Sequence, residues 1–345
     1  MARRLLWAAL ALAPLTVALD LATNPSKVVL FGLSAAALVP LAWLVGESTE
    51  HTAEHTGARI GALLNASFGN APEVIIALFA IADVLPNVVR GSLAGSVISN
   101  MLLVLGAALI AGEESRVDRR ALLVQLGLVF FAVVLLLIPS VPGWHGNPDR
   151  HSLALVSIGP AALLLVVYVV TTTVGVRTRA RPDAEPRAGS WSLPVALAAL
   201  GGATVGTAFV SEILVHSLKQ FARTAGLTQF FISIVIVAIV GNAAEHGGAI
   251  LIARRGKMRL ATDIAVSSSA QVGLFVVPLV MLMSLAFSHP LTLSFRPIEL
   301  ITMGIAAFTA AAVVRDGCAR RREGILLVVL YGVMVVAFGL TPDRA

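Results

Sequence analysis

Two glutamates, Glu73 and Glu245, each lie in the middle of an apolar run that is long enough to cross a lipid bilayer. The first ends the segment GNAPE at 69–73, and the second ends GNAAE at 241–245. Glycine and proline weaken a helix, and a carboxylate is most unfavourable at the depth of the bilayer centre. Two interrupted helices with an acid at corresponding positions in two halves of a chain indicate a binding site near the membrane midplane.

The chemistry of such acids is competition between protons and a cation. An isolated carboxylate in hydrocarbon takes up a proton, and two facing carboxylates disfavour joint ionisation further. A hard divalent cation reverses this balance, because both acids gain a partner and release their protons. A structural hydrogen bond would explain one buried glutamate equally well. The matched surroundings of the two glutamates favour the exchange of a cation for protons.

Neutral oxygen atoms are expected to complete the site. Helix breaks at Gly69 and Gly241 would free backbone carbonyls, which are tolerated at this depth only where they line a cavity. Asn70 and Asn242 would add amide oxygens or stabilise the breaks. Oxygen ligands favour Ca²⁺ or a similar hard ion over Zn²⁺ or copper.

Two further spans carry polar residues that are candidates to line the cavity. Ser99 and Gln271 hold equivalent positions, each at the same distance in sequence after one of the acids, and a large amide at bilayer depth favours a lining role. Ser96, Asn100 and Ser269 are further candidates. Small polar residues in membrane helices commonly permit close packing instead, and for Ser96 and Ser269 this alternative is at least as strong.

Acids and histidines near the ends of two spans are candidates for a proton path or a gate. Glu47 and His51 end one span, Glu212 and His216 end another, and each pair lies one helical turn apart on a single face. Histidine titrates near neutral pH. A solvated helix end explains Glu47 and His51 more simply, and Glu212 is the stronger candidate. His246 would point about 100 degrees away from the acid before it, so we interpret it as a hydrogen-bond partner.

The composition is that of an integral membrane protein. The chain has 345 residues, of which 57% are hydrophobic and 13% charged, and its mean hydropathy is +0.90. The net charge of +6 is explained by basic loops and does not indicate nucleic-acid binding. The single cysteine excludes an internal disulfide and a thiolate cluster. No cofactor is expected beyond the transported Ca²⁺.

Hydropathy predicts an all-α protein with eleven transmembrane helices. The N-terminal apolar stretch resembles a signal peptide but has no clear cleavage site, so we expect an uncleaved first span. With about 20 residues per crossing, the predicted spans are 5–20, 28–46, 58–83, 88–111, 121–139, 151–176, 191–218, 227–253, 259–286, 296–314 and 324–340.

The distribution of basic residues predicts the orientation. With a cytoplasmic N-terminus, the inner segments hold 18 of the 25 lysines and arginines, which supports an odd number of spans and an outer C-terminus. Residues 1–27 are then the first helix and its loop, 28–176 a first five-helix repeat, 177–190 a cytoplasmic linker, and 191–345 a second repeat. Five is an odd number, so the second repeat is inverted relative to the first.

The motifs that surround the acids resemble those of the calcium/cation–proton exchanger family, in the cation/Ca²⁺ exchanger superfamily. The resemblance rests on HTAEHTGARIGALLNASFGNAPEVIIALFA, GSLAGSVISNMLLVLG, FISIVIVAIVGNAAEH and SSSAQVGLFVVP, and it spans 41–340. It implies one helix plus two inverted five-helix repeats, with Glu73 and Glu245 as the ion- and proton-binding acids. It also implies export of Ca²⁺ from the cytosol in exchange for H⁺ by alternating access. The cell membrane is the expected location.

Three alternatives stay open from the residues. An exchanger driven by Na⁺, or one for another divalent ion, differs from this interpretation only in the ions carried. A membrane enzyme would need a motif such as H-E-x-x-H or G-x-S-x-G, and the sequence contains neither. A cation channel is disfavoured by the matched inverted halves. The oligomeric state is not predicted.

Overall fold

The computed structural model describes residues 2–23, 25–179 and 191–344, and these residues form a helical protein with one very short sheet. The helices are α1 (Ala2–Ala9), α2 (Leu12–Ala22), α3 (Lys27–Phe68), α4 (Ala71–Ala82), α5 (Pro86–Ala111), α6 (Arg119–Gly143), α7 (His151–Arg179), α8 (Leu193–Ala225), α9 (Gln229–Gly241), α10 (Ala243–Arg254), α11 (Met258–Ser284), α12 (Pro297–Val314) and α13 (Arg321–Gly339). The strands β1 (Ser115–Arg116) and β2 (Cys318–Ala319) pair antiparallel.

Within the described ranges, nine helical segments are long and apolar enough to cross a membrane, and α1 with α2 counts as one of them. The number rises to ten if α9 and α10, which meet at a 58° bend, form one broken span. The chain is therefore a multi-pass membrane protein. Of the predicted linker 177–190, residues 177–179 belong to α7, and residues 180–190 lie outside the described residues.

The predicted boundary between the spans 28–46 and 58–83 does not interrupt the helix, because α3 continues to Phe68. The segment that follows Gly46 contains no proline, and its polar side chains have partners three or four residues away along the helix. His51 lies 3.8 Å from Glu47 and 3.5 Å from Glu54. The hydroxyls of Ser48 and its neighbours Thr49, Thr52 and Thr56 each donate to the carbonyl four residues earlier. A charged sequence can thus remain helical when its polar groups are paired locally.

The second half of the chain has a turn where the first half has continuous helix. α8 ends at Gly226, whose φ of 66° closes the helix in the left-handed conformation that glycine adopts readily. α9 then begins with a side-chain cap, since the Thr228 hydroxyl accepts a hydrogen bond from the Phe231 amide at 3.0 Å. The two halves therefore differ in how they approach their helix breaks.

Beyond the breaks, the helix bounds of the two halves correspond at a constant interval, the one that separates Glu73 from Glu245. α4 and α10 both have 12 residues, and they begin at Ala71 and Ala243. α5 and α11 begin at Pro86 and Met258. Both contain a π-helical segment, at Asn100–Val104 in α5 and at Val272–Val276 in α11. π-helical segments are rare, and they are often found at functional sites.

The described chain divides into two compact units, each of which takes segments from both halves. The first unit comprises Met1–Phe79, Val167–Gly226 and Val240–Ala244, and the second comprises Ala80–Val166, Leu227–Ile239 and Glu245–Ala345. In the first unit, α3 packs along α8, and α2 packs against both helices.

In the second unit, α5 lies at the centre of the core. Residues 88–102 of α5 are all buried, and α13, α12, α11 and Ile232–Val237, a π-helical segment of α9, pack around it. Two glycines allow the closest of these approaches. A Cβ at Gly91 would overlap Ser233, and one at Gly95 would overlap the Ile234 carbonyl. Helices in membranes use such small residues to bring their backbones together.

A buried arginine ties together the loops at one end of the second unit. Arg90 is 1% exposed, and its guanidinium donates to Asp149 at 2.7 Å, to the Thr292 hydroxyl at 3.0 Å and to Asn87 at 2.7 Å. Burial of the Asp149 carboxyl raises its pKa, but the hydrogen bond and charge of Arg90 and the hydrogen bond of Thr292 outweigh burial. The pKa therefore lies below its ordinary value of 3.8.

Candidate cation site

The two glutamates occupy equivalent places immediately after helix breaks. Glu73 lies in the first turn of α4 and Glu245 in the first turn of α10. The first backbone amides of a helix have no partner within the helix, and the helix dipole is positive at this end. A carboxylate in the first turn is therefore stabilised by the backbone. The sequence achieves this by placing the break-forming Gly-Asn pair four and three residues before each acid.

In the first unit, Glu73 packs against the break of the other half. Glu73 is 7% exposed, and Asn70 and Asn242 are 0% and 1% exposed. A Cβ built at Gly241 would lie 3.5 Å from Glu73 Cγ and 3.8 Å from Cδ, so this glycine is in van der Waals range of the acid. The structure thus brings Glu73 of the first GNAxE segment next to Gly241 of the second.

In the second unit, Glu245 terminates a chain of hydrogen bonds whose other side chains are buried. The Ser268 hydroxyl donates to Glu245 Oε2. Asn100 Nδ2 donates to Ser268 Oγ at 3.0 Å, and Asn100 Oδ1 lies 3.1 Å from His246 Nε2. Since an amide oxygen only accepts, His246 carries its proton on Nε2. Every donor in the chain therefore points towards the Glu245 carboxylate.

This network orders the acid and gives its charge a specific partner. Asn100 and Ser268 are 0% and 2% exposed, and His246 is 8% exposed. Hydrogen bonds in a low dielectric polarise one another, so a fully paired chain holds its members in one arrangement. Asn100 also begins the π segment of α5, and the irregular helix places its amide between His246 and Ser268.

The remaining lining candidates have different surroundings. The Ser99 hydroxyl donates to the Ser96 carbonyl of its own helix at 3.3 Å, and both serines are buried. The Ser269 hydroxyl lies 3.3 Å from the Val97 carbonyl, so it joins α11 to α5. Gln271 is partly exposed. Of the two neighbouring serines on α11, it is therefore Ser268 that reaches the acid.

Sequence reasoning missed Ser268 as a site residue, although a signal was available. Ser268 lies as far after Ser96 in the sequence as Glu245 lies after Glu73. His246 has the hydrogen-bonding role that the sequence suggests for it. The side chain that it meets, Asn100, was a candidate for lining only.

The candidate proton-path residues lie in the first unit. Glu47 forms an ion pair with Arg3 of α1 at 2.7 Å, and the His51 ring stacks on Trp191 with 4.7 Å between ring centroids. On α8, Glu212 is half-buried and His216 is exposed. The Glu47–His51 segment therefore lies within the long helix α3, where Arg3 of α1 and Trp191 contact it.

The donor set is limited to few acids. Over the residues that the structure describes, no group of three or more histidine, cysteine, aspartate or glutamate side chains is arranged to hold a metal ion. A cation at either glutamate would take its remaining ligands from neutral oxygens. The buried amides of Asn70 and Asn242 and the carbonyls at the helix breaks are groups of this kind.

Broken helices with an acid in the first turn after each break, in two matched halves of a multi-pass membrane protein, define an ion-coupled secondary transporter. The sequence model of the family described as sodium/calcium exchanger protein matches residues 26–176 and 195–340, and the chain belongs to this family.

Individual relatives match almost the whole chain. The Ca²⁺/H⁺ antiporter ChaA of Bacillus subtilis is 37% identical, with 95% of this chain and 96% of the relative covered. The Ca²⁺/H⁺ antiporter of Aphanothece halophytica is 32% identical, with 92% and 91% covered. The solved structure of native YfkE superposes with a TM-score of 0.84 at 35% identity, over 96% of this chain and 98% of YfkE.

Proposed function

We propose that this chain is a secondary antiporter that exports Ca²⁺ from the cytoplasm in exchange for H⁺, with Glu73 and Glu245 as the acids that bind either ion. Relatives that match it over nearly their whole length are Ca²⁺/H⁺ antiporters, which are transporters and not enzymes. The observation that carries the assignment of the acids is their equivalence. Both are first-turn glutamates after helix breaks, at the third position of helices of equal length.

Exchange follows from the electrostatics of these acids. Without a cation, a carboxylate that leaves water is unfavourable and binds a proton. Ca²⁺ offers each carboxylate a full charge partner and takes its remaining oxygen ligands from amides and backbone carbonyls. Ser268 has a specific part in this cycle, because its hydroxyl stabilises Glu245 in the ionised form that receives the cation.

We also propose the finer topology of eleven helices, arranged as one helix plus two inverted five-helix repeats. The coincidence of helix starts and π segments at one interval supports the repeat. An odd number of spans per repeat would invert the second one. The excess of basic residues in alternate loops supports a cytoplasmic N-terminus and an outer C-terminus, with the cell membrane as the location.

The test is uptake of ⁴⁵Ca²⁺ into inside-out membrane vesicles with an acidic lumen. Wild-type protein should accumulate Ca²⁺ only while the pH gradient lasts. Glu73→Gln and Glu245→Gln keep the shape of each side chain but cannot release a proton or carry a charge, so both should abolish uptake. Glu114→Gln, at an exposed loop position, is the matched control and should transport normally. Wild-type uptake by either buried variant would refute the assignment of that acid.

Sodium is the alternative counter-ion, because the matching family is described by sodium/calcium exchange. The same vesicles with a Na⁺ gradient at equal pH on both sides separate the two possibilities. Proton coupling predicts no accumulation of Ca²⁺ under that condition. Accumulation driven by Na⁺ alone would replace the proton as the coupling ion while leaving the two acids in place.

A further inference from the structure

One face of α11 is open although most of the helix is buried. Asp263, Ser267 and Gln271 follow one another at four-residue spacing, and all three are partly exposed, as are Ile264 and Phe275 on the same arc. Residues four apart share a helix face. The face thus runs from near the start of α11 towards the π segment, and Ser268, the partner of Glu245, lies at its edge.

This face is polar where lipid would require apolar side chains. An aspartate and a glutamine within a membrane span face the interior of the protein or a water-filled cavity. The equivalent positions of α5 are different: Gly91, Gly95 and Ser99 are all buried. A side chain at either glycine would overlap α9. The acid at position 263 is therefore a feature of the second half alone.

Asp263 has a neighbour with an unused ligand atom. Gln125 of α6 donates from Nε2 to Asp263 Oδ1 at 3.0 Å. The amide oxygen of Gln125 is buried and has no hydrogen-bond partner among the described residues. A buried acceptor without a partner is unfavourable. Rotation of the amide by half a turn would place this oxygen beside the carboxylate, which is favourable if a cation or a proton lies between them.

Asp263 presents a carboxylate on the open face of α11, and this carboxylate accepts a hydrogen bond from the Gln125 amide. Carboxylate and amide oxygens are ligands suited to hard divalent cations.

We propose that Asp263 and the amide oxygen of Gln125 form an access site for a hard divalent cation, from which the ion passes along Ser267 and Gln271 towards Glu245. The proposal rests on the proposed function, since the ion is the one that the protein transports. A single acid makes the site weak, which suits a position that an ion must leave again. Negative charge at the start of a passage raises the local concentration of cations.

The first test measures initial rates of ⁴⁵Ca²⁺ uptake against Ca²⁺ concentration in inside-out vesicles. Asp263→Asn should raise KM by about three- to ten-fold, the range expected for loss of one partly hydrated charge that faces a divalent ion, and leave Vmax within about two-fold. Asp263→Glu should restore a KM close to wild type. Glu114→Gln removes an exposed charge and should change neither constant. An unchanged KM in Asp263→Asn, or a loss of Vmax alone, would overturn the proposal.

The second test separates cation binding from a structural hydrogen bond. Gln125→Glu replaces the amide donor by a second carboxylate. If the pair binds a cation, this variant should unfold at a lower temperature without Ca²⁺ and recover when Ca²⁺ is added. The measurement is made on the purified chain with Glu245→Gln also present, so it does not depend on transport. A destabilisation that Ca²⁺ does not reverse would show a structural contact only. Failure of pH-driven uptake in wild type would refute the proposed function but leave this binding test intact.

Discussion

The hydrogen bond from Ser268 to Glu245 offers a substitution whose effect can be worked out in advance. In Ser268→Ala, Glu245 loses its donor, and the Asn100 amide loses the acceptor that it meets at 3.0 Å. Both Ser268 and Asn100 are almost fully buried, so the lost contacts are not readily replaced. Alanine removes one oxygen atom and leaves the helix backbone as it is. The change therefore acts on the charge state of the site and not on its shape.

The magnitude follows from the charge on the acceptor. A hydrogen bond to a charged group contributes about 1.5–3 kcal/mol, and 1.36 kcal/mol corresponds to about tenfold in an equilibrium constant. The ionised carboxylate, which binds Ca²⁺, thus loses about 10- to 150-fold relative to the protonated form. Because protons compete with Ca²⁺, we expect KM for Ca²⁺ to rise by about tenfold or more, and to rise further at about pH 6 than at about pH 8.

The assay is the initial rate of ⁴⁵Ca²⁺ uptake into proteoliposomes over a range of Ca²⁺ concentrations at both pH values. Ser269→Ala is the matched control, because Ser269 is the adjacent buried serine and its hydroxyl lies 3.3 Å and 3.4 Å from the carbonyls of Val97 and Ala265. It should keep a KM near wild type. Equal effects of the two variants, or a wild-type KM for Ser268→Ala at both pH values, would refute the reasoning.

Three further predictions concern packing, pH and topology. Gly95→Ala forces a methyl group into the backbone of α9 and should lower the unfolding temperature in detergent, whereas Gly127→Ala, with nothing within 4 Å of its Cβ, should not. The pKa of Asp149 lies below 3.8 in the folded protein because its pairing with Arg90 outweighs burial. The pairing stabilises the fold above about pH 4, and this stabilisation is lost as the pH falls through the lowered pKa. In thermal unfolding measured at decreasing pH, Asp149→Asn should therefore show a smaller fall in unfolding temperature at acidic pH than wild type. Cys318, the single cysteine, is half-buried in β2 and should react with an impermeant maleimide in inside-out vesicles but not in intact cells, because its loop is cytoplasmic in the proposed topology.

The sequence alone was sufficient to predict those features that a short motif determines. GNAPE and GNAAE mark both helix breaks, and the acid that ends each motif lies in the first turn of the following helix. The spacing between these two motifs predicts equivalent elements, and the structure begins α4 and α10 at that same spacing. These features are local, and a pattern of residue types determines them.

Other features depended on pairing that no single pattern reveals. The segment after Gly46 carries several charged residues, as loops often do, and yet it is helical. Glu47 and His51 pair with each other, and the nearby threonine hydroxyls donate to the carbonyls four residues earlier. On α11, Ser268 and Ser269 differ by about 100 degrees of helix rotation, and composition alone does not say which one meets the acid. The hydrogen-bond donor to Asp263 comes from α6, a helix of the other half of the chain.

Simultaneous recording of Ca²⁺ uptake and luminal pH in proteoliposomes tests the central claim most directly. Liposomes start at equal pH on both sides, with the membrane potential clamped by K⁺ and valinomycin, and Ca²⁺ is added outside. The account predicts that the lumen becomes alkaline as ⁴⁵Ca²⁺ enters, and that Glu73→Gln and Glu245→Gln abolish both signals while Glu114→Gln abolishes neither. Ca²⁺ entry without a change of luminal pH, or coupled exchange that survives in both glutamine variants, would contradict it.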